Sequence, residues 1–268
     1  MKNKLRFIMI FILSCIFIVS VSMIVRQQIQ YRENDADHAV AIQTAGLTQQ
    51  RQTNALGLVQ PETKEEIAAI LAKINLSALR EINEDVVGWI EIPNTIVSYP
   101  LLQGKNNQYY LNHTWQKESN SAGSIFLECT NNSDFSDFHT IIYGHRMNNE
   151  AMFGTLKYYK DLTYWQEHPS IYISTDSGVR RYDIFAAYKA STKSIVYQLN
   201  LVGQEKDFIQ FCLDHSVIDT QFFPTAEDQI LTLSTCTGNG HAARWVVQAY
   251  LAQVYAQSES PEMADETI

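Results

Sequence analysis

Residues 229–254 read QILTLSTCTGNGHAARWVVQAYLAQV, and this stretch decides the fold. Ile230-Leu231-Thr232-Leu233-Ser234-Thr235 is a short apolar, β-rich run, the composition of a strand. Thr237 to Ala243 is short, polar and Gly-rich, as a turn requires. Arg244 to Val254 is again β-rich. A strand, a loop and a strand make a hairpin, with Cys236 at the end of its first arm and Arg244 at the start of its second.

Working outward, similar short runs recur at Val86–Ile92, Ile96–Leu102, Ser124–Leu127, Thr140–Tyr143, Ile171–Ser174 and Arg181–Ala190. With Gln229–Thr235 and Arg244–Val254 they make about eight strands, the profile of a barrel or a sandwich. Helical spacing interrupts them near Ala151–Lys160 and over Gln204–His215, where Phe208, Phe211 and Cys212 share a face. Upstream, Pro61 is expected to open a helix with Glu62, Glu65 and Glu66 in its first turns. Ile67, Ile70, Leu71, Ile74 and Leu79 follow at helical spacing, so helix is expected through residues 61–82.

The N-terminus is of another kind. From Phe7 to Val25 nineteen residues carry no charge. As a helix they reach about 28 Å, one hydrocarbon core. The run is longer than a signal-peptide core, and Arg26-Gln27-Gln28 follows it, so an uncleaved anchor is expected. Lys2, Lys4 and Arg6 give the leading flank the denser positive charge, which places residues 1–6 in the cytoplasm and the body outside. Residues 26–60, rich in Gln, Thr, Asn and Ala, read as a stalk or frayed helix. Residues 257–268 hold four acids and no base and read as a disordered tail.

The chain has 268 residues and a net charge of −9. Residues 1–32 carry +5 and the last twelve −4, which leaves −10 for residues 33–256. That balance argues against a nucleic-acid partner. Four cysteines are too few for a disulfide scaffold at this length. Cys15 lies in the apolar run, and Cys129 and Cys212 read as buried thiols more simply than as a pair. No metal-ligand spacing is visible, and no metal or cofactor is expected.

Cys236 differs by its place. A thiol on a rigid strand end beside a loop is reachable by substrate, although a Cys closing a core strand reads equally well locally. A thiol nucleophile needs an imidazole that takes and returns a proton. His145 follows Tyr143-Gly144 at the exit of another strand and fits that role better than His241. Arg244, across the hairpin, would favour the thiolate and steady an oxyanion.

These residues carry a resemblance. Thr232-Leu233-Ser234-Thr235-Cys236 with Arg244 resembles the T-L-x-T-C…R signature of sortases, membrane-anchored cysteine transpeptidases of Gram-positive bacteria. Val87-Gly88-Trp89-Ile90 with Ile92-Pro93, then Tyr99-Pro100 and Gln103-Gly104, is similar to the first strands of class B. So are Tyr109-Tyr110-Leu111-Asn112-His113, Gly123-Ser124-Ile125-Phe126, and Tyr143-Gly144-His145-Arg146-Met147 with Met152-Phe153-Gly154. The order holds from about Ile82 to Val254. The resemblance implies an eight-stranded sortase-type β-barrel over 83–256, helices over 61–82, and a helix in the loop before the catalytic hairpin. It implies Cys236 as nucleophile, His145 as general acid/base and Arg244 as the group orienting substrate and oxyanion. Ser234 and Thr235 would line the groove, and Asn112 is a weaker substrate-binding candidate.

The implied partners are secreted proteins with a C-terminal sorting motif and an amine acceptor, either a cell-wall precursor cross-bridge or a pilin Lys. Attachment of surface proteins to the wall is the leading reading. Pilus assembly by the same chemistry, a thiol peptidase that releases to water, and a non-catalytic tethered barrel are the alternatives. Many class B enzymes carry an acid directly after the cysteine, and Thr237 stands there instead, which leaves substrate preference open.

Overall fold

The computed structural model describes residues 2–47, 63–236 and 242–256. The second part of the expected stalk, the tail from 257 and most of the 237–243 loop lie outside the described residues. Helix α1 (Lys2–Thr44) leads, followed by α2 (Lys64–Leu71) and α3 (Leu76–Ile82). Eight strands come next: β1 (Val86–Glu91), β2 (Ser98–Leu102), β3 (Phe126–Leu127), β4 (His139–Tyr143), β5 (Ser170–Thr175), β6 (Gly178–Ser191), β7 (Ile230–Cys236) and β8 (Ala243–Ala256). They close into a barrel in the order β1-β2-β3-β4-β7-β8-β6-β5. Each expected strand is present, and closure leaves no open sheet edge.

The barrel interior is apolar. Ile90, Leu101, Ile142, Ile173, Ile184, Leu231, Leu233 and Val247 are buried together there, one face of each alternating strand. The loops supply two further helical pieces, a 3-10 stretch (Gly154–Lys160) and α4 (Leu162–Glu167). The expected helix at 151–160 is thus a tighter 3-10 turn that begins later, with Phe153 buried at its start. Helix α5 (Glu205–His215) lies as expected in the loop before the β7–β8 hairpin. It buries Phe208, Ile209 and Cys212 against Tyr188 and Val246 on the barrel's outer face.

Over the described part of the expected 61–82 helix there are two helices, and Pro61 and Glu62 lie outside the described residues. Thr63 caps the first. Its hydroxyl accepts from Glu66 N at 3.2 Å while Glu66 Oε2 accepts from Thr63 N at 3.1 Å. Such a reciprocal box contributes about 1 kcal/mol. The helix stops at Leu71, and Asn75 opens α3 by accepting from Ala78 N at 3.0 Å. Asn75 N also donates to Ala45 O at 3.2 Å, which fixes the break against α1.

Residues 26–44 do not form a separate stalk. They continue α1 and seat it on the barrel. Asn34 is buried, and Ala41, Ile42, Ala45 and Leu47 pack with Leu71, Leu79, Trp89, Tyr110 and Trp115. Trp115 Nε1 donates to Asp37 O at 3.0 Å, and Ser121 Oγ donates to Gln30 Oε1 at 2.8 Å. His38 stacks on Tyr99, with centroids 4.2 Å apart. The first half of α1 makes no such contacts: its apolar window has a mean hydropathy of 2.9 and none of it is buried. Among the described residues α1 is the one helix long and apolar enough to cross a bilayer.

Candidate active site

The rim of the barrel where β4, β7 and β8 end carries the chemistry. β4 and β7 run parallel, with Tyr143 beside Ser234. Two residues further along each chain come His145 and Cys236. β7 and β8 are antiparallel, and Cys236, the last residue of β7, stands opposite Arg244. Both registers therefore bring the three sequence-selected residues to one rim. Gly144 N donates to Ser234 O at 3.2 Å, which extends the ladder one step past Tyr143. A side chain at Gly144 would place its Cβ 2.7 Å from the Phe153 ring, so the approach to His145 needs a glycine.

His145 is half-buried, and its Nε2 lies 2.6 Å from Leu111 O. A carbonyl only accepts, so Nε2 carries the proton in this contact. Phe153 N donates to His145 O at 2.9 Å and holds the backbone. Arg244 is also half-buried, and its Nη1 donates to Ala243 O at 3.2 Å.

Asn112 is exposed beside Leu111, at the end of the 3-10 turn Tyr109–Leu111. Asn120 N donates to Asn112 O at 3.0 Å, so the residue belongs to the platform that holds His145. Ser234 and Thr235 are both buried but point to opposite faces of β7, as strand alternation requires. Ser234 Oγ meets Tyr197 OH at 2.9 Å. Thr235 shares the parity of Leu231 and Leu233, which line the barrel interior, and its buried Oγ1 has no hydrogen-bond partner among the described residues. The two side chains therefore do not share one face of β7.

Sequence reasoning missed the groups that brace this rim. Glu128 takes Asn107 Nδ2 at 2.6 Å, Tyr143 OH at 2.9 Å, Thr130 Oγ1 at 3.2 Å and Cys129 Sγ at 3.4 Å. Burial pushes its carboxyl up, but the hydrogen bonds from Asn107, Tyr143, Cys129 and Thr130 outweigh that and leave it below the usual range. Burial and the neighbouring Glu128 charge push Tyr143 far above the usual phenol range, so it remains a neutral donor. Tyr143 directly before Gly144-His145, and an acid ending the apolar Ile125–Leu127 run, were the available signals. Cys129 and Cys212 are both free thiols. The described residues hold no His/Cys/Asp/Glu group suited to a metal ion.

A closed eight-stranded barrel with Cys, His and Arg brought to one rim is the architecture of a cysteine acyl-transfer protein of the sortase kind. Residues 90–252 match the sortase domain family, and the chain belongs to that family. It is 38% identical over 165 residues to sortase B of Listeria monocytogenes, a match covering 60% of this chain and 66% of that protein. The matched region thus spans just under two thirds of that relative's length. A Staphylococcus aureus sortase B–substrate complex superimposes with a TM-score of 0.69 at 27% identity, covering 85% of this chain and 100% of that one. A sortase B complexed with triglycine gives a TM-score of 0.69 at 28% identity, covering 84% and 99%. All three of these relatives are sortases B.

Proposed function

We propose that this chain is a class B cysteine transpeptidase that attaches secreted proteins to the cell wall. The carrying observation is the pair of strand registers that puts Cys236 opposite Arg244 and, continued two residues past Tyr143 and Ser234, level with His145. Cys236 thiolate attacks the carbonyl carbon of the scissile peptide bond in a sorting motif. The C–N bond breaks, His145 gives its proton to the leaving amine, and a thioester remains on Cys236. An acceptor amine then attacks the thioester, His145 takes its proton, and the thiolate leaves. Arg244 stabilises the oxyanion in both halves. Ser234 and Asn112 border the path of the peptide.

The relatives crystallised with a substrate and with triglycine support a sorting peptide and an amine acceptor here. Because the relatives are sortases B, wall attachment is favoured over pilus assembly. The apolar half of α1 supports a single-pass anchor with the N-terminus in the cytoplasm and the barrel outside. Anchoring would hold the enzyme where both partners meet and raise their effective concentration.

The test uses the full chain in detergent with sorting peptides and amines, and mass spectrometry of the products. The expected product is an amide bearing the added amine. A free acid alone would mean a peptidase instead. Cys236→Ala should give no turnover, and retained turnover would remove the nucleophile assignment. His145→Ala and Arg244→Ala should each lower kcat by roughly 10²–10³-fold without unfolding the chain. Near-normal rates for Arg244→Lys would remove the bidentate role of the guanidinium.

A further inference from the structure

A line of neutral polar side chains crosses the outer face of the barrel under α5. Tyr188 of β6, Gln248 of β8, Thr232 of β7 and His139 of β4 are all essentially inaccessible to solvent. Tyr188 OH lies 2.8 Å from Gln248 Oε1, Gln248 Nε2 lies 3.1 Å from Thr232 Oγ1, and Thr232 Oγ1 lies 2.8 Å from His139 Nε2. The other ring nitrogen, Nδ1, lies 3.1 Å from Gln198 O.

Hydrogen-bond roles in this line are fixed from its end. Gln198 O only accepts, so His139 Nδ1 must carry the proton. Nε2 then accepts from the Thr232 hydroxyl, whose oxygen accepts from Gln248 Nε2, while Gln248 Oε1 accepts from Tyr188 OH. One arrangement of protons satisfies every member. Each of these groups would cost about 1–3 kcal/mol if buried without a partner. Apolar side chains would fill the same space with no such risk. What the polar line provides is a fixed end point, the carbonyl of Gln198.

Gln198 directly follows the 3-10 turn Ile195–Tyr197. Tyr197 OH meets Ser234 Oγ at 2.9 Å, and Ser234 is two residues before Cys236 on β7. Two adjacent residues of this turn are therefore fastened, one to β4 and one to β7.

We propose that His139 is a positioning residue of the peptide groove: by donating from Nδ1 to Gln198 O it fixes the Ile195–Tyr197 turn and so sets the Tyr197 hydroxyl against Ser234. The proposal rests on the transpeptidase reading, since it assigns Ser234 to the groove beside Cys236. His139 itself touches neither substrate nor reacting atoms.

Two substitutions separate this role from mere packing. His139→Asn keeps a donor where Nδ1 stood and drops the bond to Thr232. His139→Gln keeps a partner for Thr232 and drops the donor to Gln198. Full-length protein in detergent is assayed with a panel of quenched fluorescent sorting peptides, using the one the unmodified chain cleaves fastest. His139→Gln should raise KM about 5–10-fold with kcat within about two-fold, the size of one lost hydrogen bond. His139→Asn should leave KM within about two-fold at a comparable loss of melting temperature. In a Tyr197→Phe background, His139→Gln should raise KM no further.

KM rising in step with lost stability in both variants would overturn the proposal. So would an equal KM increase from His139→Gln with and without Tyr197→Phe. Turnover by the unmodified chain without the split rejects this inference alone, whereas no turnover of any peptide rejects the reading beneath it as well. A readout that needs no variant is ¹⁵N-histidine NMR of the unmodified chain. Protonated Nδ1 at His139 is expected, and the Nε2–H tautomer would overturn the proposal.

Discussion

The outer face of the barrel under α5 and the seat of α1 are both places where polar groups are buried, and they are finished to different standards. Under α5, His139, Thr232, Gln248 and Tyr188 form one saturated line, and beside β4 Glu128 gathers five donors. At the seat, Asn34 Oδ1 and Asp37 Oδ1 are buried with no hydrogen-bond partner among the described residues. Saturation selects a single geometry, which acyl transfer needs because small misplacements are costly in rate. The seat only has to hold the helix on the barrel, and it tolerates unsatisfied atoms.

The contrast breaks most directly under α5. Gln248→Ala should destabilise the chain by about 3 kcal/mol, since it strands Thr232 and Tyr188 and opens a cavity. Urea unfolding in detergent measures this, and a loss under about 1 kcal/mol would mean the line is not cooperative.

An acid series sharpens the comparison. Desolvation by burial lowers the His139 pKa to about 4, against which the Gln198 carbonyl and the Asp137 charge act only weakly. A pKa depressed in the folded state gives stability present above the unfolded value of about 6.5 and lost as pH falls through about 4. Relative to His139→Asn, the unmodified chain should therefore lose on the order of 2–3 kcal/mol between pH 6.5 and 4. The Glu128 carboxyl is also depressed, from a lower starting value, so its contribution is lost only below about pH 4.5. Parallel curves for the unmodified chain and His139→Asn across pH 4–6.5 would mean that His139 is not buried neutral.

The seat should behave in the opposite sense with pH and by a smaller amount. Burial raises the Asp37 carboxyl to about 7, the Thr114 hydrogen bond lowers it in part, and Glu118 adds to the rise. A raised pKa gives stability present below the unfolded value of about 4 and lost as pH rises through about 7. Asp37→Asn should match the unmodified chain near pH 5 and exceed its stability by about 1 kcal/mol at pH 8. Thermal unfolding followed by the fluorescence of Trp115, which donates to Asp37 O, reads this locally. No gain at pH 8 would mean that the seat opens and hydrates the carboxylate.

Much of the molecule was legible in the sequence, and the misses have a common cause. The strands announced themselves because composition is local: Ile230 to Thr235 is a short β-rich run followed at once by a polar, Gly-rich stretch. Cys236, His145 and Arg244 stood out because each sits at a strand end, and the structure brings those ends together. The seat of α1 was illegible because small residues hold it. Ala41 and Ala45 bury as completely as a leucine but give a weak apolar signal among Gln and Thr. The break between α2 and α3 contains no Gly or Pro, and it is set by the Asn75 cap and its bond to Ala45. Glu128 meets Asn107 and Tyr143, and His139 meets Thr232, across 15 to 93 residues, and no local pattern records such distances.

The continuity of α1 has one more consequence. Gln30, which Ser121 bonds to the barrel, comes five helical steps after Val25, the end of the apolar run. Along a helix that is about 7.5 Å. With the apolar run in a bilayer, the barrel rides on a short stiff handle, not on a tether. So held, the barrel would sweep a thin layer along the membrane face, in two dimensions and not three.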